Sequence, residues 1–128
     1  MIEMTLLEES KETERKVRWD ADVDGAPFSL YIPKWRVPEP WPRVIQVSIT
    51  PSTDMPATHL SPAEALNHPL SRTRPVVTHL GRVRWHTKTI RYRPDGDESE
   101  WETGEPYIPI AMTFEGSERL TLTVNWQK

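Results

Sequence analysis

Hydrophobic and polar residues alternate along most of this chain, which is the pattern of β-strands with one buried and one solvated face. Residues 17–23 show the alternation most clearly, with apolar side chains at odd positions and charged ones between them, so Trp19 is predicted to lie in the core. The same period predicts further short strands at residues 2–7, 28–32, 44–49, 106–114 and 120–126, with a hairpin turn at 115–118 between the last two. Residues 8–15 are interpreted as a polar connector, and a helix capped by Thr5 is the alternative.

The segment 82–93 carries four arginines, a lysine and a histidine in a similar alternating pattern. At its start Val83 and Trp85 share the apolar face, but from residue 90 onward the parity of apolar and charged positions reverses. An unbroken strand would then turn its apolar side chains outward, so we expect one extra residue, a β-bulge, at 87–89. A tight turn there is the alternative, and it is disfavoured because these residues include no Gly or Asn. Trp85 is therefore predicted to be a core residue.

Prolines dominate residues 33–42, where four of them deny the backbone its hydrogen-bond donors and predict an extended loop. The two tryptophans of this loop either pack against the end of the fold or form a docking surface. The candidate interaction residues of the loop are Trp35, Arg36 and Trp41. Farther along, Ser61 followed by Pro62 and Glu64 is typical of a helix N-terminus, so one short helix is predicted near 62–68.

About eight short strands and one short helix predict an all-β fold, either a barrel or a two-sheet sandwich. The chain of 128 residues is long enough for a single domain, residues 1–128, with its own core. The tripeptide Tyr-Ile-Pro at 31–33 recurs at 107–109, and a strand pattern follows each copy. This indicates a weak internal repeat with halves at about 15–50 and 88–126.

Three short runs in the first 49 residues form a recognisable series. They are Lys11-Glu12-Thr13 with Val17-Arg18-Trp19 behind it, then Leu30-Tyr31-Ile32-Pro33-Lys34, then the alternation Ile45-x-Val47-x-Ile49. On these runs, residues 5–49 resemble a group of small uncharacterised β proteins of bacterial and phage type. That group usually has Tyr where Trp19 stands and a shorter link after the Pro-Lys pair. The resemblance implies a β-meander and carries no activity with it.

The sequence contains no pattern for catalysis. Cysteine is absent, so disulfide and thiolate chemistry are excluded, and the five glycines are isolated, so there is neither a phosphate loop nor a dinucleotide-binding turn. The four histidines are separated by nine, eleven and seven residues, which is not the spacing of paired metal ligands. We therefore predict no catalytic residue, no metal and no cofactor.

Two features of the sequence, its first residues and its longest apolar runs, predict where in the cell the protein is located. The first residues are acidic and lack the basic and apolar regions of a secretory signal. No apolar run approaches the roughly 20 residues that a membrane helix needs. The sequence therefore predicts a soluble, cytoplasmic protein with no membrane partner.

Charge is unevenly distributed along the chain. Residues 1–24 hold four basic and eight acidic residues, residues 25–94 hold ten and three, and residues 95–128 hold two and eight. This asymmetry either exposes a basic surface to a polyanion or lets acidic and basic segments meet, within one molecule or between copies. The candidate polyanion-binding residues are Arg82, Arg84, His86, Lys88, Arg91 and Arg93.

Two functions from different classes fit these features. The preferred hypothesis is a non-enzymatic structural or assembly protein that forms homo-oligomers through strand edges and complementary charge. The alternative is single-strand nucleic-acid binding along 82–93, with Trp35, Trp41 or Tyr92 offering a ring on which a base stacks. A sequence pI of about 5.8 argues against this alternative.

Overall fold

The computed structural model describes the backbone of residues 3–126 and their side chains, apart from those of residues 4 and 8–10. The strands are β1 (Glu3–Glu12), β2 (Lys16–Val23), β3 (Ala26–Pro33), β4 (Ile45–Thr50), β5 (Val76–Trp85), β6 (Thr89–Pro94), β7 (Tyr107–Pro109) and β8 (Arg119–Asn125). The helix α1 spans Pro62–Asn67, and 3-10 turns span Lys34–Arg36, Pro69–Thr73, Glu98–Glu100 and Ile110–Met112. None of the helices in this part of the chain is long and apolar enough to cross a membrane.

The strands pair antiparallel around a closed barrel in the order β1-β2-β3-β7-β6-β5-β8-β4. β4 is paired along its length with β8 on one side and with β1 on the other. The junction between β3 and β7 is shorter, with Ser29 opposite Tyr107 and the Gly104 N–H donating to the Tyr31 carbonyl oxygen at 2.8 Å. The prediction of an all-β fold is confirmed, and of the two expected architectures the barrel is the one observed.

The ring is built from two Greek keys. β1, β2 and β3 follow one another and β4 returns beside β1, while β5, β6 and β7 follow one another and β8 returns beside β5. Exchanging β1–β4 with β5–β8 leaves the order of the ring unchanged, so the topology has a twofold symmetry. The Tyr-Ile-Pro sequences at 31–33 and 107–109 end the equivalent strands β3 and β7, and a 3-10 turn follows each of them.

The two ten-residue strands, β1 and β5, hold corresponding places in this symmetry. The first part of each pairs with the returning strand, β4 or β8, and the second part pairs with the next strand, β2 or β6. Each strand carries one extra residue near its middle, between Glu8 and Lys11 in β1 and at Val83 in β5. Because a β-bulge bends a strand, each long strand leaves its first partner there and continues as an arm.

The inward side chains of the strands fill the barrel with a continuous apolar core. Trp19 of β2 is fully buried, with its ring centroid 6.1 Å from that of Trp126, and its indole N–H donates to the Pro42 carbonyl oxygen at 2.9 Å. Burial of each such large side chain stabilises the fold by about 1.5–3 kcal/mol. The strands predicted from period-two alternation at 17–23, 28–32, 44–49 and 120–126 are confirmed to within a few residues.

The predicted helix near 62–68 is confirmed as α1. The Ser61 hydroxyl accepts a hydrogen bond from the Glu64 N–H at 3.2 Å, and Pro62 occupies the first helical position. These are the contacts of the capping pattern from which the helix was predicted.

The prediction of one bulged strand over 82–93 is wrong in its main feature. β5 ends at Trp85, the chain turns, and β6 begins at Thr89, with the His86 N–H donating to the Thr89 carbonyl oxygen at 2.8 Å. The tight turn was therefore the correct alternative. The extra residue demanded by the reversal of parity does exist, but it is Val83, four to six residues earlier than expected. As a consequence Trp85 lies beyond the core, half exposed.

Three other boundaries differ from the prediction. Residues 8–12 continue β1 instead of forming a connector, because they pair with β2. The strand predicted at 106–114 ends at Pro109, and a 3-10 turn follows it. The expected hairpin turn at 115–118 instead carries the chain from β7 to β8, which lies between β5 and β4. The part of the prediction that falls on residue 2 lies outside the described residues.

Arg36 was expected on an interaction loop, and this prediction is wrong because the side chain is only 1% exposed. Its Nε donates to Glu102 Oε1 at 2.6 Å, and its Nη1 and Nη2 donate to the carbonyl oxygens of Arg72 and Arg74 at 2.8 and 2.9 Å. Burial lowers the pKa of the Arg36 guanidinium, and the Glu102 carboxylate opposes that shift. Arg36 thus ties the proline-rich segment to the chain that leads into β5.

Candidate nucleic-acid interface

The hairpin of β5 and β6 beyond Gly81, residues 82–93, forms what we call the cationic arm. β5 pairs with β8 only as far as Gly81, so the rest of the strand is held mainly by β6. Every residue from Arg82 to Lys88 is exposed. The bulge at Val83 lies just beyond the end of the pairing with β8, and the side chains of Arg84 and Lys88 are exposed to solvent.

Two arginines face each other across the arm. Arg84 of β5 lies directly opposite Arg91 of β6, and the next residue in the same cross-strand row is Tyr107 of β7. Like charges placed opposite each other destabilise a sheet. Among the described residues neither arginine has a carboxylate within ion-pair distance, and the buried Arg91 Nε has no hydrogen-bond partner. Arg84 and Arg91, on the outer face of the arm, therefore form a pair of positive charges that no described carboxylate neutralises.

The other basic residues of the arm are engaged to different degrees. Arg82 lies opposite the inward-pointing Tyr92, donates to the Gly116 carbonyl oxygen and approaches Glu118 at 3.9 Å. Arg93 donates to Glu105 at 3.2 Å. Lys88 donates to the Gly25 carbonyl oxygen at 3.4 Å, and no carboxylate of the described residues lies within ion-pair distance of it. Glu105 and Glu118 therefore neutralise the barrel end of the arm, and its tip keeps its positive charge.

Exposed aromatic rings stand on both faces of the arm. On the outer face Tyr107 is 43% exposed, and the His86 ring lies 5.2 Å from it at an angle of 45°. On the inner face Trp85 is 50% exposed and its indole rests on Gly116, where a β-carbon would come within 2.2 Å of the ring. Neither ring was recognised as a surface feature from the sequence.

The rings expected to stack on bases lie elsewhere. Tyr92 is fully buried inside the barrel. Trp35 and Trp41 are half-buried, and their loop is held by Arg36 at the place where the chain enters β5. The tip of the arm is at the opposite end of that strand. The structure therefore does not bring the tryptophans of the proline-rich loop together with the tip of the cationic arm.

Tyr92 anchors the base of the arm to the segment that crosses the end of the barrel. Its hydroxyl donates to the Ser117 carbonyl oxygen at 2.7 Å, and burial raises its pKa to about 12. Because the pKa is higher in the folded than in the unfolded chain, this contribution to stability is complete below about pH 10 and is lost as pH rises from there toward 12.

We expect the unfolding free energy of the wild type to fall more steeply between pH 10 and 12 than that of the Tyr92→Phe variant. Phenylalanine lacks the ionising hydroxyl and keeps the ring in the core. Urea unfolding at several alkaline pH values measures the difference. Parallel pH profiles for the two proteins would contradict the assignment.

A cleft of about 520 Å³ lies on another side of the barrel, between the chain before α1 and the chain after β6. Its lining includes His59, His79, Asp97, Glu100 and Trp101. Within the described part of the chain, no three His, Asp or Glu side chains are arranged to hold a metal ion. The cationic arm, where basic side chains are concentrated beside exposed aromatic rings, is the better candidate site.

Comparison with protein families and curated proteins does not assign the chain to a family. Neither the models of protein families nor the curated proteins include a match to this chain. What the protein does must therefore be inferred from the residues of the arm and from their positions in the barrel.

Proposed function

We propose that this protein is a non-enzymatic binding domain that holds nucleic acid on the outer face of its cationic arm. The observation that carries the proposal is the placement of Arg84 opposite Arg91 without a carboxylate partner among the described residues. A phosphate group bound between them replaces a repulsive pair with charge-assisted hydrogen bonds, which arginine forms well because its planar fork matches phosphate geometry.

The twofold topology supports a functional origin for this charge. The arm formed by β1 and β2 occupies the equivalent place in the barrel, and its residues 8–20 hold five acidic and four basic residues. Residues 82–93 hold five basic residues and none that is acidic. Both arms meet the same requirements of strand pairing, so the fold itself does not demand a positive arm. The charge is better explained by a ligand.

The strength of binding follows from the small number of free cations. Arg84, Lys88 and Arg91 offer few phosphate contacts, and the net charge of the whole chain is −3. Binding should therefore be local, non-specific and strongly salt-dependent, with a Kd on the order of 10⁻⁶–10⁻⁴ M at physiological salt.

The test is a salt titration of binding to a labelled oligonucleotide, comparing the wild type with Arg84→Gln/Arg91→Gln. We expect the variant to lose about 10-fold to 100-fold in affinity at low salt. The slope of log K against log salt should also become shallower by about 1.4, since two phosphate contacts are lost. Fluorescence anisotropy measures both quantities.

The matched control is Arg15→Gln/Arg43→Gln, which removes the same charge from two exposed arginines outside the arm. It should bind as the wild type does. The proposal fails if the wild type does not bind at about 50 mM salt, or if the two double variants lose affinity equally. Melting curves of both variants establish that the barrel is intact.

Self-association is a second candidate, and the inner side of the arm favours it. No described strand pairs with Val83–Trp85 on the side away from β6, and Val83 and Trp85 are exposed apolar residues there. An open strand edge of this kind is a template for pairing with a second copy. Against it, two arms meeting at this edge would bring their arginines together. Light scattering should report a dimer that Trp85→Ala abolishes if this candidate is correct.

A further inference from the structure

We infer that the bound nucleic acid is single-stranded and that one of its bases stacks on Tyr107 beside the arginine pair. This inference rests on the proposed function and adds the class of ligand to it. Its basis is the cross-strand row Arg84, Arg91 and Tyr107, in which two phosphate-binding groups are followed directly by an exposed ring.

The spacing of this row suits one strand of nucleic acid. Neighbouring strands of a sheet lie about 4.8 Å apart, so Tyr107 on β7 stands about 10 Å from Arg84 on β5, with Arg91 between them. A polynucleotide that follows the row meets two guanidinium groups and then an aromatic ring. Binders of single strands combine positive charge with aromatic rings in this way, because every base has a face that can stack.

The symmetry-related tyrosine shows how Tyr107 differs from a structural tyrosine. Tyr31 ends the equivalent strand β3 in the same Tyr-Ile-Pro sequence. Its hydroxyl accepts a hydrogen bond from Arg18 Nη1 at 3.3 Å, and the Arg18 guanidinium lies 5.9 Å from the centre of its ring. Tyr31 is thus engaged by an internal cation, and that cation is in turn 3.3 Å from Asp20.

Tyr107 has a different neighbour. Its ring has His86 on one side, in a tilted contact, and 43% of the residue is exposed. No described residue is in hydrogen-bonding contact with its hydroxyl. The His86 contact limits the rotation of the ring, so a base that stacks on it loses less entropy than it would on a free side chain.

Duplex nucleic acid uses this arrangement poorly. In a duplex the faces of the bases are covered by their neighbours in the stack, and only the phosphates remain available to the arm. A ring next to the phosphate-binding groups therefore favours single strands specifically, and this preference distinguishes the inference from general polyanion binding.

The experiment compares binding of an oligothymidylate and of a duplex of the same length by the wild type, Tyr107→Leu and Tyr107→Phe. Tyr107→Leu should lose about 5-fold to 100-fold in affinity for the single strand. It should keep its salt slope and its affinity for the duplex, because its phosphate contacts are unchanged. Tyr107→Phe should bind like the wild type, since stacking needs the ring and not the hydroxyl.

The matched control is Tyr31→Leu, which removes the equivalent tyrosine of the other half and should leave both affinities unchanged. The inference is overturned, with the proposed function intact, if the wild type prefers the duplex or if Tyr107→Leu binds the single strand normally. It is also overturned if Tyr107→Leu loses both ligands equally. Failure of the wild type to bind either ligand at low salt would overturn the proposed function itself.

Discussion

Replacement of Arg36 by methionine is expected to lower the free energy of unfolding by about 3–5 kcal/mol. The guanidinium is 1% exposed and the Glu102 carboxylate beneath it is 6% exposed, so the variant leaves a buried negative charge without its cation. The carbonyl oxygen of Arg72 loses its donor at the same time, whereas that of Arg74 still accepts from the Trp126 indole N–H at 3.0 Å. Thr58, whose hydroxyl donates to the other carboxylate oxygen at 2.6 Å, compensates only in part.

A double variant separates the lost charge partner from lost packing. Arg36→Met/Glu102→Gln should recover a large part of the stability, because the amide is neutral and still accepts from Thr58. Arg43→Met serves as the control, since Arg43 is exposed and its replacement should change the unfolding free energy by less than about 0.5 kcal/mol. Urea unfolding gives all four values. A loss below about 1 kcal/mol for Arg36→Met would contradict the buried ion pair.

Truncation of Trp19 to alanine should cost about 3–5 kcal/mol, as for other fully buried tryptophans. The variant removes the ring that packs near Trp126 and leaves the Pro42 carbonyl oxygen without its donor. The same substitution at Trp85 should cost less than about 1 kcal/mol, because that indole is half exposed and lies against Gly116 at the edge of the fold.

Urea unfolding of the two tryptophan variants side by side tests this contrast. Similar losses would show that Trp85 belongs to the core after all. Light scattering on Trp85→Ala uses the same sample to test self-association through the open edge of β5.

Period-two alternation was sufficient to predict most strands, because a barrel strand has one face in the core and one in water. It could not predict that Trp85 is exposed. Parity assigns a side chain to a face, and Trp85 does share the inward face with Ile90, but Ile90 is fully buried while Trp85 is 50% exposed. Whether a side chain is covered depends on elements distant in sequence, and here the pairing of β5 with β8 ends at Gly81, before Trp85 is reached.

The roles of Arg36 and Tyr107 could not be predicted from the sequence for a related reason. An arginine among prolines looks like a solvated loop residue, and its burial is explained by partners distant in sequence, namely Glu102 and the carbonyl oxygens of Arg72 and Arg74. Tyr107 was visible as one member of the Tyr-Ile-Pro repeat, and each tyrosine of the repeat has an arginine opposite it, Arg18 or Arg91. The difference is that Arg18 donates to the Tyr31 hydroxyl, whereas no described residue contacts the Tyr107 hydroxyl in this way. Both cases depend on strand order, and no local pattern specifies the return of β4 and β8 to their places in the ring.

The twofold ring order has a consequence for how such a barrel can arise. Equivalent strands meet each other at both junctions between the halves, β3 with β7 and β4 with β8, and each junction is antiparallel. Two identical half-length chains would therefore close the same ring as a symmetric dimer. Fusion of such chains would allow one arm to lose its acidic residues while the other kept them, since the cross-strand pairs Lys11–Arg18 and Arg84–Arg91 are basic in both arms.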